Sequence, residues 1–253
     1  MKAATRFCAV ICLVGFCVLG ANGSDLLTPA FSSLPDDGPV LGTLAPLDLN
    51  EIAEEITDSV TFKLDTYAHV RAMPWNWRGA GDASMECQVA FTPTALYVEG
   101  TFADDYPFCQ PMLRPSKPDW WGIGYGADGI EFILEDATTS TRTVRFLLNF
   151  SSRAVAPRVE LAQSLTGTPP GFVGGAAIEL RDGEVPPWLS REEAAQTELV
   201  HFRAAVPLSV LASPRFLNAP LRVTCRLHDR DGDISTYKML EATELHKPVI
   251  FGQ

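Results

Sequence analysis

Residues 83–104 read ASMECQVAFTPTALYVEGTFAD, and their pattern decides the fold. Met85, Cys87, Val89 and Phe91 recur at every second position, Pro93 and Thr94 interrupt, and Leu96, Val98 and Phe102 resume the alternation. A period of two sends successive side chains to opposite faces of a strand, and a short Thr/Pro break between two such runs reads as a tight antiparallel connection. The stretch predicts a hairpin with one apolar face.

The same period returns on the C-terminal side, from Ile130 to Leu134, Val144 to Phe150, Ala176 to Leu180, Val200 to Val206 and Leu221 to Leu227. Turn chemistry separates the runs, with Asp182 and Gly183 after one and Asp231 and Gly232 between the last pair. Seven strands of this kind predict an all-β protein, an antiparallel β-sandwich of jelly-roll or immunoglobulin-like type with long loops. The two long connections are residues 104–127 and 183–196. Short helical turns are expected at 48–57, where Asp48 stands as a cap with Glu51 three residues on, and at Ser209 to Ala212.

Toward the N-terminus the pattern fades. Lys2 and Arg6, an apolar run from Phe7 to Leu19, and the small residues Gly20, Ala21 and Gly23 have the build of a signal peptide over residues 1–23. The run is too short for a membrane-spanning helix, which needs about 20 apolar residues, and no later stretch reaches that length. The expected protein is secreted or periplasmic. A Pro/Ser/Gly/Asp-rich arm is expected over residues 24–59, followed by one sandwich domain over residues 60–253.

Cleavage near Ser24 leaves three cysteines, Cys87, Cys109 and Cys225, so at most one internal disulfide can form. Cys87 and Cys225 sit in alternating apolar rows and are read as buried core thiols rather than as a bridge. Without Lys2 and Arg6, 18 basic side chains face 31 acidic ones, a net charge of −13. Such a surface argues against nucleic acid as a partner and suits neutral or cationic ones.

Catalytic patterns are absent. The sequence holds no Gly-x-Ser-x-Gly elbow, no His-Glu-x-x-His and no Cys-x-x-Cys, and His69, His201, His228 and His246 are scattered singly. Aromatic residues instead crowd the connection 104–127, with Tyr106, Phe108, Trp120, Trp121 and Tyr125. A pyranose offers C–H faces that stack on flat rings and a rim of hydroxyls that needs carboxylate, amide or guanidinium partners. Asp119, Asp128 and Glu131 are nearby acceptors. Trp75 and Trp77 read instead as a strand end plugging the core. Asp104 and Asp105, at the start of the aromatic connection, are candidate ligands for a structural calcium ion. Asp229, Asp231 and Asp233 have the spacing of a calcium loop but lack its distant Glu, and read as a solvated hairpin turn.

Several pieces, in order, resemble the family 9 carbohydrate-binding modules and the wider DOMON-like β-sandwich group. They are Thr94 to Val98 followed by Asp104 and Asp105; Trp120 and Trp121 ahead of Asp128 to Ile133; Phe146 to Phe150; Phe202 to Pro207 with Leu211; Leu221 to Asp233; and the ending Phe251 to Gln253. The resemblance spans roughly Val60 to Gln253. It implies a noncatalytic sandwich, sometimes calcium-stabilised, in which two tryptophans clamp a terminal sugar and polar side chains bind its hydroxyls. On that basis the sugar-binding residues are Trp120, Trp121, Tyr125, Glu131 and Asn149. The chain departs from the pattern at Leu147, where sugar-binding members carry Arg, and at His228, where they carry Asn. It also has no Trp after Trp188. The leading expectation is an exported carbohydrate-binding domain that needs no cofactor. The rival is an envelope or secreted protein-interaction sandwich that has lost sugar binding.

Overall fold

The computed structural model describes residues 40–41, 45–107, 128–139, 143–149, 157–165, 171–212, 214–231 and 237–246. They form two sheets packed face to face. The chain runs through β1 (Val40–Leu41), α1 (Leu49–Glu54), β2 (Ser59–Leu64), β3 (Val70–Ala72), β4 (Ala83–Phe91) and β5 (Ala95–Asp104). It continues through β6 (Gly129–Asp136), β7 (Thr143–Asn149), β8 (Arg158–Gln163), β9 (Gly171–Val173), β10 (Ala177–Asp182), α2 (Arg191–Ala194) and β11 (Glu198–Pro207). It ends with α3 (Leu208–Leu211), α4 (Pro214–Leu217), β12 (Leu221–Asp229) and β13 (Lys238–His246). The first sheet has the order β1-β9-β8-β7-β6-β12-β13-β3 and the second β10-β11-β5-β4-β2. The pairing is antiparallel throughout except at the margin, where β1 runs parallel to β9.

The opening hairpin forms as read. Phe91 pairs with Leu96 and Ala83 with Asp104, and the Thr92 side chain accepts from the Ala95 amide at 3.1 Å to close the turn. Every second residue faces inward. Met85, Cys87 and Val89 meet Ile130, Phe132, Leu134, Phe146, Val223, Cys225 and Leu227 in one continuous core. Gly100 is obligatory opposite Cys87, because a Cβ there would come within 2.5 Å of the Glu86 carbonyl and of the Cys87 Cβ. Cys87 and Cys225 are both buried in this core, as expected, with no bond between their sulfurs.

Part of the expected arm joins the sandwich. Asp48 caps α1 by accepting from Asn50 N at 2.8 Å, and Ile52 packs on Ala95, Tyr97 and Ala205, on the outer surface of the second sheet. Trp75 departs from its expected place in the core. Met73 adopts left-handed backbone geometry (φ 45°), and the tight turn at Pro74–Asn76 that follows leaves Trp75 77 % exposed. Trp77 does pack against the core and donates Nε1–H to the Ala83 carbonyl at 2.9 Å. Among the described residues, no helix is long and apolar enough to cross a membrane.

Candidate functional site

Strand β6 begins directly after the aromatic connection. Ile130, Phe132 and Leu134 point into the core, so Glu131, Ile133 and Glu135 point to the outer face of the first sheet. On that face the register brings Arg226 of β12 opposite both Glu131 and Glu241, and Leu147 of β7 opposite Glu131. Glu131 is fully enclosed, at 0 % exposure, and both its oxygens are engaged. Arg145 Nε donates to Oε1 at 3.0 Å, and its Nη2 donates to the same oxygen. Arg226 Nη1 donates to Oε2 at 3.1 Å, and His228 Nε2 lies 3.3 Å from that oxygen. Arg226 Nε also donates to Glu241 Oε2 at 2.7 Å, and His228 Nδ1 stands 2.8 Å from the Tyr237 hydroxyl. Burial acts to raise the Glu131 carboxyl, but its hydrogen bond and charge interaction with His228, joined by Arg145, outweigh that and hold it at about 2. The Arg145 and Arg226 side chains keep 25 % of their surface exposed, so charged donors reach outward while Glu131 anchors them from below.

The position where the sequence pattern lacks an arginine is Leu147, buried and directly opposite Glu131. Arg145, two residues earlier on the same face, contacts that carboxylate instead. Asn149 pairs with Gly129 in the same ladder. Trp120, Trp121 and Tyr125 lie outside the described residues, as does Asp119. The ends of their connection are described: Tyr106 is exposed and its amide donates to Asp104 Oδ1 at 2.7 Å, and Asp128 Oδ1 accepts from the Arg230 amide at 3.0 Å.

Those two ends meet an acidic cluster at one end of the sandwich. Asp104 joins Asp229 and Asp231, while Asp105 joins Asp82 and the same Asp231, each trio with candidate ligand oxygens within 4.8 Å of one another. Asp229 is not solvated as the expected turn required, and Asp233 lies outside the described residues. Asp229 continues the inward row of Cys225 and Leu227 and is 0 % exposed, because β12 extends two residues past Leu227 into the cluster. Its ladder partner is Lys238, also buried, whose Nζ lies 3.1 Å from Asp82 Oδ1, 3.0 Å from Asp229 Oδ2 and 2.7 Å from Asp231 Oδ2. The contact to Asp229 is an ion pair without hydrogen-bond alignment. Oδ1 of Asp229 and Oδ1 of Asp231 are buried with no hydrogen-bond partner. Burial and the neighbouring carboxylates push both Asp104 and Asp229 well above the ordinary carboxylate range. The carboxylates form an all-oxygen donor set of the kind a hard cation takes, and Lys238 and Arg78 already bring positive charge to it, Arg78 lying 2.8 Å from Asp105 and 3.5 Å from Asp231.

A second feature lies on the outer surface of the second sheet. A groove of about 400 Å³ is lined by Trp188, Glu86, Glu99, His201 and the Pro186–Pro187 pair. His201 Nε2 sits 3.1 Å from Glu99 Oε1, and Trp188 donates Nε1–H to Ser84 Oγ at 3.0 Å. Little in the sequence announces this groove, because its lining comes from four separate segments, 86–88, 99–101, 184–188 and residue 201.

No family model matches the chain, and no curated protein matches it. Among solved structures, a candidate carbohydrate-binding protein from Bacteroides uniformis aligns at 11 % identity with a TM-score of 0.43, over 85 % of this chain and 89 % of its own. A family 9 carbohydrate-binding module from Caldicellulosiruptor kristjanssonii, in complex with cellotriose, aligns at 10 % identity and TM-score 0.36, over 81 % of this chain and 80 % of its own. Likeness at this level assigns neither ligand nor site residue to this chain.

Proposed function

We propose that this chain is an exported, noncatalytic carbohydrate-binding domain. The observation that carries the reading is the cluster on the outer face of the first sheet, where a buried Glu131 holds the outward-reaching Arg145 and Arg226 beside the end of the aromatic connection. Guanidinium groups donate to sugar hydroxyls, Asn149 adds an amide at the rim, and Trp120, Trp121 and Tyr125 supply rings for stacking. Glu131, with both oxygens engaged, acts here by positioning the two arginines.

The test is calorimetry of the protein against a panel of soluble sugars and polysaccharides. Binding at millimolar affinity or tighter is expected, with at least a tenfold loss in a Trp120→Ala/Trp121→Ala variant. Silence across the panel overturns the reading. Binding lost in Trp188→Ala but kept in the double variant would move the site to the groove on the second sheet.

The acidic end of the sandwich is proposed to take a structural calcium ion through Asp104, Asp229 and Asp231. Asp104 ends the strand that enters the aromatic connection, so an ion there would fix the strand end from which that connection leaves. Millimolar calcium is expected to raise the melting temperature by several degrees, a chelator to reverse it, and Asp104→Asn to abolish the response. An unchanged melting temperature in wild type would remove the ion from the account.

A protein partner is the second reading. It is favoured by the exposed Trp75 and Tyr67 beside the three-residue edge strand β3, with the Tyr67 and Trp77 rings 6.2 Å apart. Exposed aromatic rings of this kind are common anchors in interfaces.

A further inference from the structure

We propose that Cys87 and Cys225 are joined by a disulfide that staples the two sheets when the chain folds in an oxidising compartment. The proposal rests on the exported reading above. Cys87 lies on β4 of the second sheet and Cys225 on β12 of the first, and both point into the core between them. Their sulfur atoms are 3.9 Å apart, with both side chains almost wholly buried. A disulfide needs about 2.05 Å between sulfurs, so the two must close by about 2 Å, within the reach of side-chain rotation and a small backbone adjustment. A bridge linking opposite sheets is an established way of tying a β-sandwich.

The timing follows from burial. Once the sandwich has closed, desolvation and the neighbouring Cys87 push the Cys225 thiol well up, so little thiolate exists to react. The bond therefore forms during folding, by exchange with a disulfide-bearing oxidant of the export compartment. One cysteine thiolate attacks the oxidant's disulfide, forming a mixed disulfide and releasing one oxidant thiol. The other cysteine thiolate then attacks the protein sulfur of that mixed disulfide. Cys87 and Cys225 end joined, and their two thiol protons pass to the oxidant's sulfurs, which leave as two thiols. The bridge spans a sequence separation of 138 residues, and closing so long a loop restricts the unfolded chain strongly.

The full chain is expressed from its own Met1 in a host with an oxidising export compartment. It is alkylated under denaturing conditions without reductant, and its intact mass is read. The expected mass starts near Ser24 and carries one alkyl group, on Cys109, with a Cys87–Cys225 cross-linked peptide in a non-reducing digest. Dithiothreitol should lower the melting temperature by roughly 10 °C in wild type and leave a Cys87→Ala/Cys225→Ala variant unmoved. A mature N-terminus with three alkylated cysteines, or a bridge through Cys109, overturns the proposal. If the leader is retained, the same chain is refolded from urea in a glutathione redox mixture. A Cys87–Cys225 bridge there keeps the pairing and removes the exported reading, while full alkylation removes both.

Discussion

Replacing Lys238 with methionine is expected to destabilise the fold by about 3–5 kcal/mol at neutral pH, the cost of removing one partner from a buried ion cluster. Methionine keeps most of the volume, so the loss reports charge rather than a cavity. Burial acts to lower the Lys238 pKa, but Asp229, Asp231 and Asp82 outweigh it and the ammonium is held charged above its ordinary range. With a raised folded-state pKa, the contribution of Lys238 is fully present below about 10.4 and fades only as pH rises beyond that value. At pH 7 the variant therefore leaves the buried Asp229 without its ion pair, and Asp82 and Asp231 with only the more exposed Arg78. Urea denaturation should show the midpoint falling, with a melting temperature lower by roughly 10 °C for a domain of this size. As pH falls, Asp229, held well above the ordinary carboxylate range, takes up a proton, and the gap between wild type and variant should narrow. A difference below about 1 kcal/mol at pH 7 would show that the cluster does not depend on this lysine.

Glu131→Gln is expected to cost about 3 kcal/mol at neutral pH, the free energy equivalent of a carboxyl held near 2 against an ordinary value near 4.5. The sign is set by the direction of that shift. A depressed folded-state pKa contributes stability above about pH 4.5, and the contribution is lost progressively as pH falls to about 2. Asp104 and Asp229 shift the other way, but they are common to both proteins and cancel in the difference. The measurement is the stability of wild type minus that of the variant, followed by denaturant titration at several values between pH 7 and pH 2. A difference that stays flat across that range would mean Glu131 is not held ionised by Arg145, Arg226 and His228. On the sugar-binding reading, affinity should fall as well, because the two arginines lose the anchor that aims them.

Both predictions concern residues whose importance the linear sequence conceals to different degrees. Glu131 stands out by position, as a carboxylate inside the apolar run Ile130 to Leu134 just after a run of aromatics. Lys238 does not stand out at all. It follows a polar turn in the sequence, where an ammonium is ordinarily solvated, and only its ladder pairing with Asp229 carries it inside. Arg145 is similar, since nothing local says that a guanidinium two residues from Leu147 reaches the same carboxylate. Trp75 errs in the opposite direction: its chemistry suggested the core, and one left-handed residue, Met73, turned it outward.

What the sequence by itself determined was the architecture. Period-two alternation is a local property, imposed by strand geometry on each segment separately, so β4, β5, β6, β7, β10, β11 and β12 were all readable before any pairing was known. The short strands β1, β3 and β9 were not, because two or three residues carry no period and gain their hydrogen bonds only from a neighbour. The partners of the charged groups belonged to the tertiary structure alone. Register and sheet order bring Glu131 to Arg226 across 95 residues, and the packing of one sheet on the other brings Lys238 to Asp82 across 156. Burial then decides whether such a meeting is a screened surface contact or a desolvated pair on which the fold depends.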